Sequence, residues 1–270
     1  MLKDERAVPG AQSGREPLSY GSYLRVPELT SLQTPLGDPP VHDEMLFIIV
    51  QQAQELWFKQ ILWDLKEIIR ALRKDDLYEA IRLLQRSARI LQVVSREAQI
   101  LATMPPSAFH GFRHVLSPAS GFESHQFREL ELASGLDDPT FFKLLDRHLG
   151  LERLRQEWPE TLSDAVDAAL GRAMGSGPTE AWTEVYDDPD RHALLFQLGE
   201  GLSEYEVYFA EWRFHHIKLV ERSIGDHVPG TAGSSGAGYL GKTLTYKFFP
   251  ELWEARNRVT LRHTRPSPDA

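Results

Sequence analysis

The sequence predicts an all-α protein. Apolar residues recur at steps of three, four or seven over long stretches, and no segment of useful length alternates apolar and polar residues as a half-buried strand would. With 270 residues, the chain is long enough to bury a large core without a disulfide or a structural zinc site. We therefore expect a helical bundle.

The first strong helix is predicted over 42–73. Five apolar side chains of this run fall at helical steps: Leu46, Ile49, Ala53, Leu56 and Trp63. A second helix is expected to begin after the cap candidate Asp75 or Asp76 and to be stopped by Pro105-Pro106. Because only a few residues separate the two helices, we expect an antiparallel hairpin.

The segment at 105–121 interrupts the helical pattern, and a loop of that length inside a compact domain is expected to be functional. Further helices are predicted at about 122–134, 139–149, 161–174 and 189–224. A Gly/Pro gap is expected at 175–178, and Gly225 should end the last strong helix. Both ends, 1–19 and 264–270, are polar and expected to be flexible, which leaves a single helical domain over 20–263.

Composition and charge exclude several classes of function. The chain has no cysteine, which rules out cysteine nucleophiles, iron–sulfur clusters and thiolate metal sites. Its net charge of −9 argues against a nucleic-acid partner. The longest apolar run, Met45 to Val50, is far shorter than the roughly 20 residues that span a membrane. Since the amino terminus is acidic where a secretory signal is apolar, we expect a cytoplasmic protein.

The helix predicted over 189–224 carries a histidine on its apolar face, which Tyr205, Phe209, Trp212 and Leu219 share with His216. No second histidine or carboxylate lies one turn from His216, so it would bind a metal as a lone protein ligand. A single imidazole suffices for haem iron, whose in-plane ligands come from the porphyrin. The alternative is a core histidine that is bonded to a backbone carbonyl.

The glycine-rich segment at 230–243, GTAGSSGAGYLGKT, has Gly236, Gly241, Lys242 and Thr243 in the spacing of a phosphate-binding loop. Such a loop follows a buried strand, whereas a charged helix and the segment DHVPG precede this one. A nucleotide site is therefore disfavoured. The glycines instead predict a close backbone approach to a ligand or a neighbouring chain.

Three further side chains are candidates for binding. Arg113 follows Phe109 and Phe112, and a guanidinium beside aromatic rings can hold a carboxylate through two hydrogen bonds. An ordinary surface ion pair is the alternative. Tyr20 and Tyr23, near the amino terminus, are either core residues or anchors of an interface.

Five blocks of the chain resemble the tryptophan 2,3-dioxygenase family. They occur in the family's order and spacing between about residues 20 and 245, whereas the segment at 139–188 is less diagnostic. The blocks are YGSYLRVPELTSLQ at 20–33, PPVHDEMLFIIVQQAQELWFKQ at 39–60, FHGFRHVLSPASGFESHQFRELE at 109–131, WRFHHIKLVERSIG at 212–225 and GTAGSSGAGYL at 230–240.

The resemblance implies an all-helical homotetramer, a dimer of dimers, with one haem b per subunit. It implies that the protein opens the indole ring of L-tryptophan with dioxygen to give N-formylkynurenine. His216 would be the axial ligand of the haem iron, and Arg113 would hold the substrate carboxylate. Phe47 and Phe109 would line the indole pocket, and Thr231 would meet the substrate ammonium or carboxylate.

The family pattern also assigns residues beside the haem and residues from a neighbouring subunit. Leu116, Ala119 and Ser120 match positions beside the haem and the distal pocket. Three residues match positions that the family lends to the neighbouring subunit's pocket: Tyr20, Tyr23 and Leu24. A monomer would then be nearly inactive.

One position departs from the family pattern. Where the family has a distal histidine in the pattern Phe-Ile-Ile-x-His, this sequence places Gln51. The amide oxygen of Gln51 can accept a hydrogen bond from the indole N–H, but the side chain cannot take a proton. Dioxygen can still add to the indole C2=C3 bond, so we predict a dioxygenase. The alternatives are a haem monooxygenase that acts on a substituted tryptophan, and a haem carrier or sensor.

Overall fold

The fold is all-α, as predicted, and no strand occurs in the part of the chain that the structure describes. The computed structural model describes residues 17–117, 119, 123–148, 150–228 and 241–264. In chain order the α-helices are α1 Tyr20–Leu24, α2 Val26–Leu29, α3 His42–Leu72, α4 Leu77–Leu101, α5 Pro106–Arg113, α6 His125–Ser134, α7 Pro139–His148, α8 Leu151–Glu157, α9 Leu162–Met174, α10 Pro178–Asp187, α11 Ala193–Ile224 and α12 Pro250–Thr264. Short 3-10 turns lie at His114–Leu116 and Thr243–Thr245.

The predicted hairpin of α3 and α4 is confirmed. Asp76 caps α4 by accepting a hydrogen bond from the backbone N–H of Glu79 at 3.2 Å. An ion pair also joins the two helices: the fully buried carboxylate of Asp64 on α3 pairs with Arg86 on α4. This buried pair and the apolar faces around it fix how α3 lies against α4.

The long helix α11 packs along α4 and completes the large core. Gly201 of α11 permits this close approach, because a Cβ at that position would lie only 3.1 Å from Cδ2 of Leu84 on α4. Phe209 and Trp212 of α11 point into the core, where their rings pack against Phe127 of α6. The carboxyl-terminal part of α11 then extends towards α5.

A buried carboxylate on α11 anchors the start of α12. Glu206 accepts hydrogen bonds from the backbone N–H groups of Phe248 at 2.8 Å and Phe249 at 3.1 Å, and from the indole N–H of Trp253 at 2.7 Å. Burial raises the pKa of Glu206, and these three donors oppose that effect. The cluster ties the last described helix to the middle of α11.

The interpretation of residues 105–121 as a loop is wrong. Helix α5 and the 3-10 turn at 114–116 occupy most of this segment. Pro106 was read as a stop signal, yet it starts α5, because the first turn of a helix does not need the N–H group that proline lacks. This correction places Phe109 and Arg113 on a short helix whose position is fixed by packing.

Other helices were also missed or misplaced. The structure adds α1, α2, α8, α10 and α12, and α10 begins at Pro178, at the end of the predicted Gly/Pro gap. Helix α11 begins at Ala193 rather than at residue 189, because α10 and a turn precede it. The remaining predicted helices agree with the structure to within a few residues at each end.

The amino-terminal segment at 17–36 lies on the outside of the bundle, and most of its side chains are exposed. Two contacts attach its end to α3. The buried carboxylate of Glu44 accepts hydrogen bonds from the backbone N–H groups of Leu36 at 2.7 Å and Gly37 at 2.9 Å, and the Gln52 side chain pairs with Gln33. Within the described residues, no helix has the length and apolar character needed to cross a membrane. Residues 1–16 and 265–270, which make up most of the predicted flexible ends, lie outside the described residues.

Candidate functional site

A small apolar cluster lies apart from the large core, where α3, α4 and α5 meet. Its buried members are Val50, Leu101, Met104 and Phe112. Three of the predicted site residues pack against it and remain partly exposed: Phe47, Phe109 and Leu116. The structure therefore brings together side chains that are distant in sequence and that were expected to form one pocket.

The aromatic rings of this cluster are in direct contact. The ring centroid of Phe47 lies 6.0 Å from that of Phe109 and 5.5 Å from that of Phe112, and the rings of Phe109 and Phe112 meet edge to face. Such tilted contacts are the favoured geometry for aromatic pairs. Since Phe112 is fully buried while Phe47 and Phe109 are not, the two outer rings form an apolar surface on a rigid base.

Helix α5 is held close to the start of α3 by a glycine. A Cβ at Gly111 would lie 2.9 Å from Cγ2 of Val41, closer than side-chain atoms pack without displacement. The absence of a side chain at Gly111 therefore allows α5 to sit against the residue that precedes α3. This contact fixes the distance between Phe47 on α3 and Phe109 on α5.

His216 lies on α11 between the two apolar clusters. Trp212, one turn before it, belongs to the large core, and Leu219, about one turn after it, packs against the small cluster. The imidazole stacks on the Trp212 indole, with ring centroids 5.2 Å apart and an interplanar angle of 16°. His216 retains some exposed surface, whereas the indole beneath it is buried.

The environment of His216 keeps its imidazole neutral. Burial is the main cause, and the positive charge of Arg128 adds to it; together they lower the pKa of His216 from 6.5 to about 4. No carboxylate of the described residues hydrogen-bonds to this ring, whereas the neighbouring His215 lies 3.6 Å from Glu211. A neutral imidazole has a lone pair available for a metal ion.

These features fit a haem ligand better than a ligand of a multidentate metal site. The described residues contain no group of three His, Asp or Glu side chains that could hold a metal ion by themselves. A lone imidazole therefore needs a partner that brings its own ligands, as a porphyrin does. The buried indole N–H of Trp212 also has no acceptor among the described residues, which leaves it available to a bound polar group.

Gln51 and Arg113 lie at the edge of this arrangement. Gln51 is one turn after Phe47 on α3 and is exposed. Arg113 is the last residue of α5, directly after the buried Phe112, and is partly exposed. Both side chains are therefore within reach of solvent beside the aromatic cluster, and their roles toward a substrate stay predictions.

Of the predicted residues Ala119, Ser120 and Thr231, only Ala119 lies within the described part of the chain. Ala119 is exposed, and its backbone N–H donates a hydrogen bond to the carbonyl of Leu116 at 2.7 Å. Ser120 and Thr231 lie outside the described residues, as does most of the glycine-rich segment at 230–243.

The predicted contributors to a neighbouring subunit are exposed on α1. Tyr20 and Tyr23 are 79% and 70% exposed, and Leu24 is 44% exposed. Helix α1 is nevertheless defined, because Ser19 and Ser22 form a capping box at its start. These residues therefore do not fill the core of their own chain, which excludes one of the two interpretations made from the sequence.

The sequence analysis did not predict a set of hydrogen bonds that joins α3 to α6. Glu55, one turn after Gln51, accepts hydrogen bonds from the Ser124 hydroxyl at 2.6 Å and from the Gln126 amide at 2.8 Å. These hydrogen bonds fix the position of the first turn of α6, which carries Phe127. Only the position of Glu55 within the second resembling block could have pointed to it.

Among the described residues, the all-helical fold places the neutral imidazole of His216 near an aromatic cluster, and a haem-binding protein is the class that this arrangement fits best. The sequence model of the family described as tryptophan 2,3-dioxygenase matches residues 5–144 and 178–259. The tryptophan 2,3-dioxygenase of Caulobacter vibrioides is 40% identical over 262 residues, covering 90% of this chain and 98% of that protein.

Two further relatives bear the same name and are similar over most of the chain. The tryptophan 2,3-dioxygenase of Bacillus anthracis is 37% identical over 265 residues, covering 91% of this chain and 94% of the relative. The tryptophan 2,3-dioxygenase of Xanthomonas euvesicatoria is 37% identical over 276 residues, covering 94% of this chain and 92% of the relative. The chain belongs to the tryptophan 2,3-dioxygenase family, whose members are haem-dependent dioxygenases.

Proposed function

We propose that the protein adds both atoms of dioxygen across the indole C2=C3 bond of L-tryptophan and gives N-formylkynurenine, with haem b as its cofactor. The observation that carries the proposal is the single neutral imidazole of His216 between the core and the aromatic cluster that contains Phe47 and Phe109. Membership of the family supplies the reaction. The catalytic unit is the helical domain over 20–263, and we place it in the cytoplasm.

His216 would hold the haem iron, and the stacked Trp212 would limit rotation of the imidazole. When bound, the haem supplies the activation of dioxygen. The protein's own residues orient the substrate and exclude water. Phe47 and Phe109 provide an apolar surface for the indole ring, and Arg113 pairs with the substrate carboxylate.

Gln51 replaces the distal histidine and changes what the protein can do with the indole N–H. Its amide oxygen accepts a hydrogen bond from that group, which orients the ring. It cannot remove the proton, so base catalysis at the indole nitrogen is unavailable from this position. The electron-rich C2=C3 bond reacts without base catalysis from this position.

The complete pocket needs a second subunit. We propose a homotetramer in which Tyr20, Tyr23 and Leu24 of one chain close the pocket of its neighbour. Their exposure on the isolated chain supports this proposal. Thr231 and Ser120 complete the contacts to the substrate and the distal side.

Labelled dioxygen tests the reaction. The ferrous protein is incubated with L-tryptophan and ¹⁸O₂, and the product is analysed by mass spectrometry. N-formylkynurenine that carries two labelled atoms supports the proposal, whereas unchanged tryptophan contradicts it.

A monooxygenase is the second candidate, and the observation that favours it is the glutamine at position 51. It predicts a hydroxylated or oxindole-type product with one labelled atom, together with a requirement for a reductant or peroxide. The same experiment therefore separates the two candidates.

A further inference from the structure

Helix α6 lies between α3 and α11 and is bonded to both. At its start, the carboxylate of Glu55 on α3 accepts hydrogen bonds from the Ser124 hydroxyl at 2.6 Å and from the Gln126 amide at 2.8 Å. The Gln126 amide also donates to the backbone carbonyl of Glu55 at 2.9 Å. Further along α6, the buried Glu131 pairs with the buried Arg213 of α11 at 2.8 Å. The first turn of α6 is therefore tied to α3, and its second half is tied to α11.

Phe127 lies between these two attachments along α6. Its ring is buried, and the ring centroid is 5.4 Å from that of Phe58 on α3 and 4.3 Å from that of Trp212 on α11. Phe58 also meets Trp212 edge to face, with centroids 6.0 Å apart. Because Trp212 in turn stacks on His216, packed rings connect α3 and α6 to the candidate haem ligand.

Glu55 shares one face of α3 with the predicted substrate residues. Phe47, Gln51 and Glu55 follow one another at four-residue steps, and Phe58 comes three residues later. This face of α3 therefore carries a ring of the aromatic cluster, the expected distal side chain and a ring that packs on the indole beneath His216. The position of α6 against α3 sets how that face lies relative to His216.

We propose that Glu55 is a positioning residue for the haem ligand: by holding the first turn of α6 against α3, it fixes the rings of Phe127, Trp212 and His216 relative to the face of α3 that carries Gln51. The inference rests on the proposed function, since it requires haem on His216. Glu55 acts through Phe127 and Trp212 rather than on a reacting atom. A carboxylate suits this task because its two oxygens accept from both side-chain donors of α6 at once.

The experiment is resonance Raman spectroscopy of the ferrous, haem-loaded protein, in which the iron–histidine stretching band reports how the imidazole meets the iron. Glu55→Ala removes both side-chain acceptors, and we expect the band to broaden and to move to lower frequency, because the imidazole is less firmly oriented. Transfer of haem to an apoglobin acceptor should become about tenfold faster, as when a group that orients a metal ligand is lost. Neither measurement depends on turnover.

Two further variants test the same contact. Glu55→Gln keeps an amide oxygen that accepts from one donor, so its band should lie between those of the wild type and Glu55→Ala. Gln126→Ala removes the amide donor from the α6 side, and it should move the band in the same direction as Glu55→Ala.

Glu129→Ala is the matched control, because it removes a carboxylate from the same helix. Glu129 accepts a hydrogen bond from the indole N–H of Trp158, just after α8, at 2.7 Å. Chemical denaturation should show a loss of stability in both Glu129→Ala and Glu55→Ala, whereas the Raman band and the rate of haem transfer should stay at their wild-type values in the control. Circular dichroism reports whether each variant folds.

Two results would overturn the inference while leaving the proposed function intact. One is a wild-type band and a wild-type rate of haem transfer in folded Glu55→Ala or, if that variant does not fold, in Gln126→Ala. The other is an equal shift in Glu129→Ala, which would assign the effect to a general loosening of α6. A wild-type protein that binds no haem would remove both this inference and the proposed function.

Discussion

At the scale of single residues, the chemistry depends on a few side chains whose environments differ sharply. His216 is neutral because burial and a nearby guanidinium disfavour its charged form. Gln51 is exposed and cannot titrate, and Phe47 and Phe109 present apolar rings beside it. Substitutions at this scale should therefore separate iron binding from substrate binding.

His216→Gly should abolish coordination of the haem iron, because no other imidazole of the described residues lies on this face of α11. Added imidazole should restore a histidine-like absorption spectrum by occupying the vacated position. Haem affinity, measured by haemin titration, should fall at least roughly tenfold. His215→Ala, one residue earlier and partly exposed, is the control and should bind haem normally.

Arg113→Ala should raise the KM for L-tryptophan by roughly 10- to 100-fold, because a charge-assisted pair with the substrate carboxylate is worth about 1.5–3 kcal/mol. Steady-state kinetics measure the effect. The exposed His110 on the same helix provides a control in His110→Ala, which should leave KM unchanged. An unaltered KM in Arg113→Ala would remove this residue from the substrate site.

At the scale of helices, buried charge decides how elements pair. The α3–α4 hairpin contains a fully buried carboxylate with a half-exposed arginine partner, and α9 presents Asp167 towards two other acidic groups. The Asp64–Arg86 ion pair stabilises the folded state when both partners are present. The repulsion between Asp167 and its acidic neighbours lowers the free energy of unfolding at neutral pH.

Arg86→Ala should lower the free energy of unfolding by about 2–3 kcal/mol, because it leaves the buried Asp64 without its cation. Chemical denaturation measures the loss. Arg82→Ala, one turn earlier on α4, breaks an exposed pair with Glu79 and should cost about 0.5 kcal/mol or less. Equal losses in the two variants would show that burial of Asp64 does not matter.

Asp167→Asn should stabilise the protein at neutral pH. Burial, and then Glu251 and Asp164, raise the pKa of Asp167 from 3.8 to about 6. The folded state therefore binds more protons than the unfolded state between about pH 4 and pH 6, and wild-type stability falls as pH rises through this window.

The gain from Asp167→Asn at pH 7.5 should be on the order of 1 kcal/mol, since partial exposure reduces the full effect of the shift. Thermal denaturation across pH measures it, and the difference from wild type should shrink towards pH 4. The exposed Asp190→Asn serves as the control. A gain that persists at pH 4 would contradict the assigned cause.

At the scale of the whole molecule, the long helices could be predicted from sequence because their apolar spacing is regular. Helices α4 and α11 were found in this way, and the apolar face that carries His216 followed from the same spacing. Helix α3 was also predicted, but three residues of the pattern that predicted it, Ile49, Leu56 and Trp63, are exposed. The position of α5 could not be found, because Pro106 signals a helix start as well as a stop. The aromatic cluster depends on Gly111 against Val41, a contact between segments 70 residues apart.

The sequence also could not predict the ion pairs that form near His216, because they join segments that are distant in sequence. Glu131 meets Arg213 across 82 positions of sequence, and nothing in the local pattern of either helix predicts that pair. Family resemblance predicts that His216 is the iron ligand, whereas only the folded chain shows which charges lie near it.

A visible absorption titration tests the central claim most directly. Haemin is added to the pure protein, the complex is reduced, and L-tryptophan is then titrated in. We expect the Soret band of a histidine-ligated haem, at one haem per chain, that shifts with saturating dependence on tryptophan. A protein that stays colourless after haemin is added, or a haem spectrum identical in wild type and His216→Gly, would contradict the assignment of His216 as the iron ligand.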